Sequence, residues 1–234
     1  SGTKVLDDVN LEIHEGEILV IAGVQGNGQT ELTEAIIGMH GRTAGSIELD
    51  GQQLIGKNVK QVLDLGVGFV PEDRTEDGLV AEFTIAENLM LDRSDRKPFA
   101  KGLSLQLAFL KKFAQEKLQQ FDIRAQGIES KASQLSGGNQ QKVVLARELS
   151  RDLRLLVASQ PTRGLDVGSI EFVHEQIVAT RDSGIPVLIV ATELDEATQL
   201  GDRIAVMYKG KVVGVVPAST SRSVLGQMMA GISA

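Results

Sequence analysis

The chain has 234 residues, with 24 lysines and arginines against 31 aspartates and glutamates, a formal net charge of −7. That sign excludes a nonspecific nucleic-acid binder built on excess positive charge. Hydrophobic residues at 42% and charged residues at 24% suit a globular domain with a substantial core, and the absence of cysteine excludes disulfides and thiolate metal sites.

The stretch from Lys4 to Gly51 reads as strand-rich: Val5, Val9, Leu11 and Ile13, then the apolar run Ile18–Ala22, then Ser46–Leu49. Between the second and third runs lies Gly23-Val24-Gln25-Gly26-Asn27-Gly28-Gln29-Thr30, leading into a helix with Leu32, Ala35, Ile36 and Ile37. Strand, glycine loop and helix is the context of a phosphate-binding P-loop, and the residues match G-x-x-x-x-G-K-[ST] except that Gln29 stands in place of lysine. An amide can hydrogen-bond phosphate but brings no charge. At an effective dielectric of about 20, a unit charge about 4 Å away contributes roughly 4 kcal/mol before desolvation, so affinity for a nucleotide is expected to be weak. Thr30 keeps a hydroxyl that can face a metal ion, while Glu31 puts a carboxylate near the phosphate seat. A glycine-rich turn without a nucleotide role remains open on this loop alone.

The segment from about Thr75 to Gln134 reads as helical, with Leu107, Leu110, Ala114, Leu118 and Phe121 forming one apolar stripe expected to be ordinary core. Leu135-Ser136-Gly137-Gly138-Asn139-Gln140-Gln141-Lys142 then precedes a run, Val143 to Leu149, that reads as a buried helix. A hydroxyl and unencumbered amides at a helix N-terminus suit an anion, although a serine N-cap with two loop glycines explains the tripeptide equally well. Leu153–Ala158 reads as a buried strand delivering Ser159-Gln160-Pro161-Thr162-Arg163-Gly164-Leu165-Asp166, and Val187–Val190, Ile204–Met207 and Val212–Val216 read as further strands before a short helix near Ser223–Met229.

Taken in order, these stretches closely resemble the ATP-binding domain of ABC transporters. The resemblance implies an α/β P-loop NTPase domain: a parallel core sheet, an antiparallel β part and a helical subdomain at about 75–134, all within one domain spanning 1–234. It makes Gly23 to Thr30 the Walker A loop, Leu135 to Asn139 the signature motif, Glu72 the Q-loop position and Asp166 the D-loop residue. ATP and Mg²⁺ are the cofactors it implies, with Thr30 a residual metal-facing group.

The departures from the family pattern carry the functional reading. Ser159 and Gln160 fall where the family has an Asp-Glu pair that holds magnesium and polarises water, Thr192 replaces the switch histidine, and Glu72 replaces the usual glutamine. Each change alone is tolerable, but together they describe a site without its hydrolytic machinery, so the chain's own Walker side is expected to be hydrolytically inactive, with magnesium and ATP weak or absent there. Because family domains pair head to tail, Ser136, Gly137 and Gly138 are expected to complete a partner domain's ATP site in trans.

Pro71-Glu72-Asp73-Arg74 with Asp77-Gly78-Leu79 resembles the second ATP-binding domain of bacterial sugar and nucleoside importers, and Asn27 to Thr30 with Gln160-Pro161 leans toward nucleosides. The implied partners are a second ATP-binding domain on the same polypeptide, transmembrane permease subunits and, indirectly, an extracytoplasmic substrate-binding protein. Leu79, Val80 and Phe83 are either core or the permease-docking surface. No signal peptide or spanning segment is read, so placement at the cytoplasmic face of the membrane is expected through the permease. No aromatic residue precedes Phe69 to stack adenine; with Ser1-Gly2 opening close to the first strand, the chain is expected to be excised from a two-domain polypeptide. The alternative is a soluble ABC-type regulatory or scaffold module.

Overall fold

The computed structural model describes residues 4–40 and 43–232. Ser1 and Gly2, on which the expectation of excision partly rests, lie outside the described residues. In chain order the elements are β1 (Ile18–Ala22), α1 (Gln29–Ile36), β2 (Glu48–Leu49), β3 (Gln52–Gln53), α2 (Val59–Asp64), β4 (Val67–Val70), a π-helical turn (Arg74–Gly78) and α3 (Ile85–Met90). There follow β5 (Ala100–Lys101), β6 (Ser104–Leu105), α4 (Leu107–Gln120), a 3-10 turn (Ala132–Gln134) and α5 (Gly137–Glu148). Last come β7 (Leu155–Ser159), α6 (Val167–Asp182), β8 (Val187–Ala191), α7 (Leu194–Leu200), β9 (Arg203–Tyr208), β10 (Lys211–Pro217) and α8 (Arg222–Met229).

The chain forms two compact units. The first comprises the described residues up to Phe69, Leu153–Gln160 and the residues from His174 onward; the second comprises Val70–Asp152 and Pro161–Val173. In the first, six strands run in the order β10-β9-β1-β8-β7-β4, with β1 parallel to both β8 and β9, β8 parallel to β7, and β10 antiparallel at the edge. Every residue of β1, β7 and β8 is buried, as continuous apolar runs in a parallel sheet covered on both faces must be. Leu19, Ile21, Val157, Leu188 and Val190 pack with Leu32 and Ile37 in one core, so the glycine loop leaves the middle of the sheet from a rigid base.

Three expectations need correction. Val5, Val9, Leu11 and Ile13 do not form a strand; Val9, Leu11 and Ile13 pack against the core without a ladder, because alternation records which side chains are buried and not whether the backbone is paired. The helical stretch also contains the β5–β6 hairpin, antiparallel from Ala100↔Leu105 to Lys101↔Ser104. Of the α4 stripe, Leu110, Ala114 and Phe121 are buried, but Leu107 is exposed at the helix start, where the apolar period runs past the core.

The second unit is organised by α5, buried along most of its length. Its Glu148 is buried between Arg147 (Nε to Oε1, 2.7 Å) and Arg151 (Nε to Oε2, 2.7 Å), and Arg151 also reaches Asp92 at 2.6 Å. Burial pushes the Glu148 carboxyl up, but the two guanidiniums outweigh it and hold the group below the usual carboxylate range. Thr84 and Glu87 form a reciprocal capping box that starts α3. Leu79 is buried and Phe83 is exposed. No helix among the described residues is long and apolar enough to cross a membrane.

Candidate functional site

In the first unit, the loop from Gly23 to Gly28 turns the chain from β1 into α1. Gly28 sits at φ 103°, a left-handed conformation that glycine adopts without steric cost, and as N-cap it offers no side chain to the first N–H groups of α1. Asn27 pins the loop: its Oδ1 accepts from the Lys209 N–H at 2.8 Å, its carbonyl from the Gly210 N–H at 2.9 Å, and its Nδ2 donates to the Val24 carbonyl at 2.9 Å. Val24, Gln25, Gly26 and Thr30 are exposed, and Glu31 is half-buried in the first turn of α1. A carboxylate there is favoured by the helix dipole and competes with any incoming anion.

Gln29 does not reach outward. It is 4% exposed and folds back on its own loop, with Oε1 accepting from the Asn27 N–H at 3.1 Å and Nε2 donating to the Val24 carbonyl at 3.1 Å.

At the C-terminal ends of β7 and β8 stand the other substituted positions. Ser159 is 2% exposed and its hydroxyl has no hydrogen-bond partner. Gln160 adopts φ 43°, with its N–H donating to the Val190 carbonyl at 2.9 Å, and Thr192 is exposed just beyond β8. The loop and the uncapped N-terminus of α1 have the form of a phosphate seat. The ends of β7 and β8 beside them offer hydroxyls and an amide but no carboxylate, the ligand that would anchor a magnesium ion most firmly there. Among the described residues no group of three or more His, Asp or Glu is arranged to hold a metal.

In the second unit, Ser136 caps α5. Its Oγ accepts from the Asn139 N–H at 3.4 Å and from the Asn139 side-chain amide at 2.9 Å, while the Asn139 Oδ1 accepts from the Arg124 N–H at 2.8 Å. The exposed hydroxyl keeps its own proton to donate. Gly138 is buried against Ser169: a Cβ there would lie on the Ser169 Oγ and 3.2 Å from an Asp166 carboxylate oxygen. Asp166 in turn accepts from the Ser169 N–H at 3.0 Å and the Ser169 hydroxyl at 2.7 Å, and these bonds, the hydroxyl first, lower its carboxyl below the ordinary range. Leu135 is half-buried at the entry to the motif. The second unit therefore joins Ser136, Gly138 and Asn139 to Asp166 and Ser169 in one packed cluster.

Several partners were not visible in the sequence. Glu72 pairs with Arg163, so this anion is met by a cation within its own unit. Arg74 donates to the Arg163 carbonyl at 3.0 Å, with its Nη2 2.6 Å from where a Gly137 Cβ would sit. Gln141 donates to the Pro161 carbonyl at 2.8 Å, and Lys142 donates to the Asp122 carbonyl at 2.9 Å and to its carboxylate at 3.0 Å. For Gln141 and Lys142 the signal was the presence of polar residues on a helix that is otherwise buried.

Comparison with known proteins agrees with this geometry. Residues 6–163 match the family model described as ABC transporter. The chain is 43% identical over 231 residues to the nucleoside import ATP-binding protein NupA of Lactococcus lactis subsp. cremoris, covering 98% of this chain and 46% of that protein. It is 42% identical over 231 residues to the guanosine import ATP-binding protein NupO of Bacillus subtilis, covering 98% and 45%. The chain thus spans less than half the length of these relatives. Among solved structures, the ATP-binding cassette MJ0796, dimeric in a post-hydrolysis state bound to ADP and Pi, superposes with a TM-score of 0.78 at 26% identity over 93% of this chain and 92% of that one.

Proposed function

The chain belongs to the ABC transporter family, and from that premise we propose that it is the catalytically silent partner in an importer's ATPase pair, lending its signature helix to another domain's ATP. The observation that carries this reading is the donor set at the ends of β7 and β8. Ser159, Gln160 and Thr192 supply no carboxylate and no imidazole, so this side holds magnesium weakly at best and has no base to activate water, while Ser136, Gly137 and Gly138 remain at the N-terminus of α5 with the hydroxyl exposed. Such an end stabilises negative charge through its N–H groups and the helix dipole. The dimeric relative bound to ADP and Pi supports pairing as the working form of this fold.

In this reading the chain is one ATP-binding domain of a longer polypeptide, paired with a competent domain on that polypeptide. It docks on permease subunits at the cytoplasmic face of the membrane, with an extracytoplasmic binding protein delivering substrate. The names of the two relatives support a nucleoside as cargo over a simple sugar.

The test is made in the assembled transporter. Ser136→Arg fills the space before the α5 N-terminus and is expected to reduce ATP hydrolysis and uptake by at least tenfold, the scale of losing one preorganised oxyanion donor (about 10²–10³). Gln160→Ala is expected to change either by less than about twofold, since an amide at that position has no proton-accepting role. Equal losses in two folded variants would refute the asymmetric reading.

A further inference from the structure

We propose that the glycine loop of this chain is closed by its own Gln29 side chain, which occupies the phosphate seat and keeps nucleotide out. The inference rests on reading Gly23 to Thr30 as a phosphate loop and adds a second, separable cause for its silence. Lost charge alone would leave an open cradle with weak affinity. Here the cradle is filled. The Gln29 carboxamide oxygen accepts from the Asn27 N–H at 3.1 Å, a backbone donor of the kind such a loop turns toward a phosphate oxygen, and the amide nitrogen closes the ring on the Val24 carbonyl at 3.1 Å. A carboxamide oxygen is a neutral counterpart of a phosphate oxygen: it meets the same donor without ionic charge.

Three further features hold the side chain in place. At 4% exposed, Gln29 is shielded from the water that would compete for both bonds. Gly23 makes the space, since a Cβ there would stand 2.5 Å from the Gln29 Nε2 and 2.7 Å from the Met207 carbonyl. Asn27, whose N–H is the donor concerned, is anchored through its side chain and carbonyl to Lys209 and Gly210, so the loop cannot open at that point without breaking those bonds as well. A nucleotide must therefore expel Gln29 before its phosphates can reach the Asn27 amide.

The experiment uses the 234-residue chain with Gln29→Ala and Gln29→Lys, read in two ways: hydrogen exchange at the Asn27 amide without nucleotide, and titration with a fluorescent ATP analogue. Gln29→Ala is expected to exchange the Asn27 amide about tenfold faster than the unaltered chain, the equivalent of one lost net hydrogen bond. It should also bind the analogue at least threefold tighter although no charge has been added, and Gln29→Lys should bind it tighter still. Unchanged exchange at Asn27, or no gain in affinity for Gln29→Ala while Gln29→Lys binds, overturns the closure and leaves the phosphate-loop reading standing. Failure of Gln29→Lys to bind overturns both.

Discussion

Replacing Ser159 with alanine should stabilise the first unit, an outcome opposite to the usual cost of a buried substitution. Ser159 ends β7, is 2% exposed and leaves its hydroxyl without a partner. A hydroxyl taken from water and left unsatisfied costs about 1–3 kcal/mol. Removing one oxygen forfeits only a few dispersion contacts, so the net gain is about 1 kcal/mol. For an unfolding slope of about 3 kcal/mol/M, that shifts the urea midpoint upward by about 0.3 M. Thr33 supplies the contrast: it is 1% exposed, but its hydroxyl donates to the Thr30 carbonyl at 2.8 Å. Thr33→Val removes that hydrogen bond and should lower the midpoint by a similar amount. The assay is urea unfolding followed by far-ultraviolet circular dichroism on both variants. A midpoint that falls in Ser159→Ala as far as in Thr33→Val would mean that the hydroxyl is satisfied in solution, and the reading of it as a stranded donor would fail.

Gly138→Ala should disrupt the second unit far more than Gly137→Ala, because a Cβ at Gly138 meets Ser169 down to its Cβ at 3.0 Å, whereas one at Gly137 meets the movable end of Arg74 at 2.6 Å; comparable urea midpoints for the two variants would contradict the packing. Burial pushes the Glu17 carboxyl up, but Arg203 and the His14 N–H overcome this and hold it at about 2 against an ordinary 4.5. Its stabilisation is therefore full above about pH 4.5 and lost as pH falls through about 2, and Glu17→Gln should flatten the acid limb of stability in that window; an unaltered slope across the same pH series would remove the pairing from the account.

How far this architecture can be read from sequence depends on which physical signal each element leaves. The strands β1, β7 and β8 were legible because a strand covered on both faces has to be apolar throughout, and the turn into α1 was legible because only glycine takes the φ of Gly28 freely. The stretch through Val9, Leu11 and Ile13 misled because alternation encodes burial, which these residues partly achieve, while pairing depends on an edge elsewhere in the chain. The β5–β6 hairpin left almost no trace, being four paired residues inside a stretch otherwise helical in composition. Among site residues, chemical identity was legible and partnership was not. That Gln29 carries no charge is a fact of sequence; that it turns inward onto Asn27 and Val24 depends on the space beside Gly23. That Glu72 is anionic is likewise evident; that Arg163 meets it depends on a contact 91 positions away.

If these positions are replacements, as proposed, their partnerships bear on how they fit the fold. A site filled by arbitrary replacements would strand polar groups, because each introduced donor or acceptor would face surroundings arranged for another residue, at a cost of about 1–3 kcal/mol apiece when buried. Gln29 instead makes two hydrogen bonds inside its loop, Glu72 is matched by Arg163, and the left-handed backbone of Gln160 is held by Val190. Ser159 departs from that pattern with its stranded hydroxyl. A chain whose replacements are this well accommodated can keep its sheet and glycine loop in shape without a nucleotide to organise them. On the proposed reading, that property is what a silent partner requires if its fold, and with it the helix that Ser136 caps, is to stand ready whether or not its own loop is ever filled.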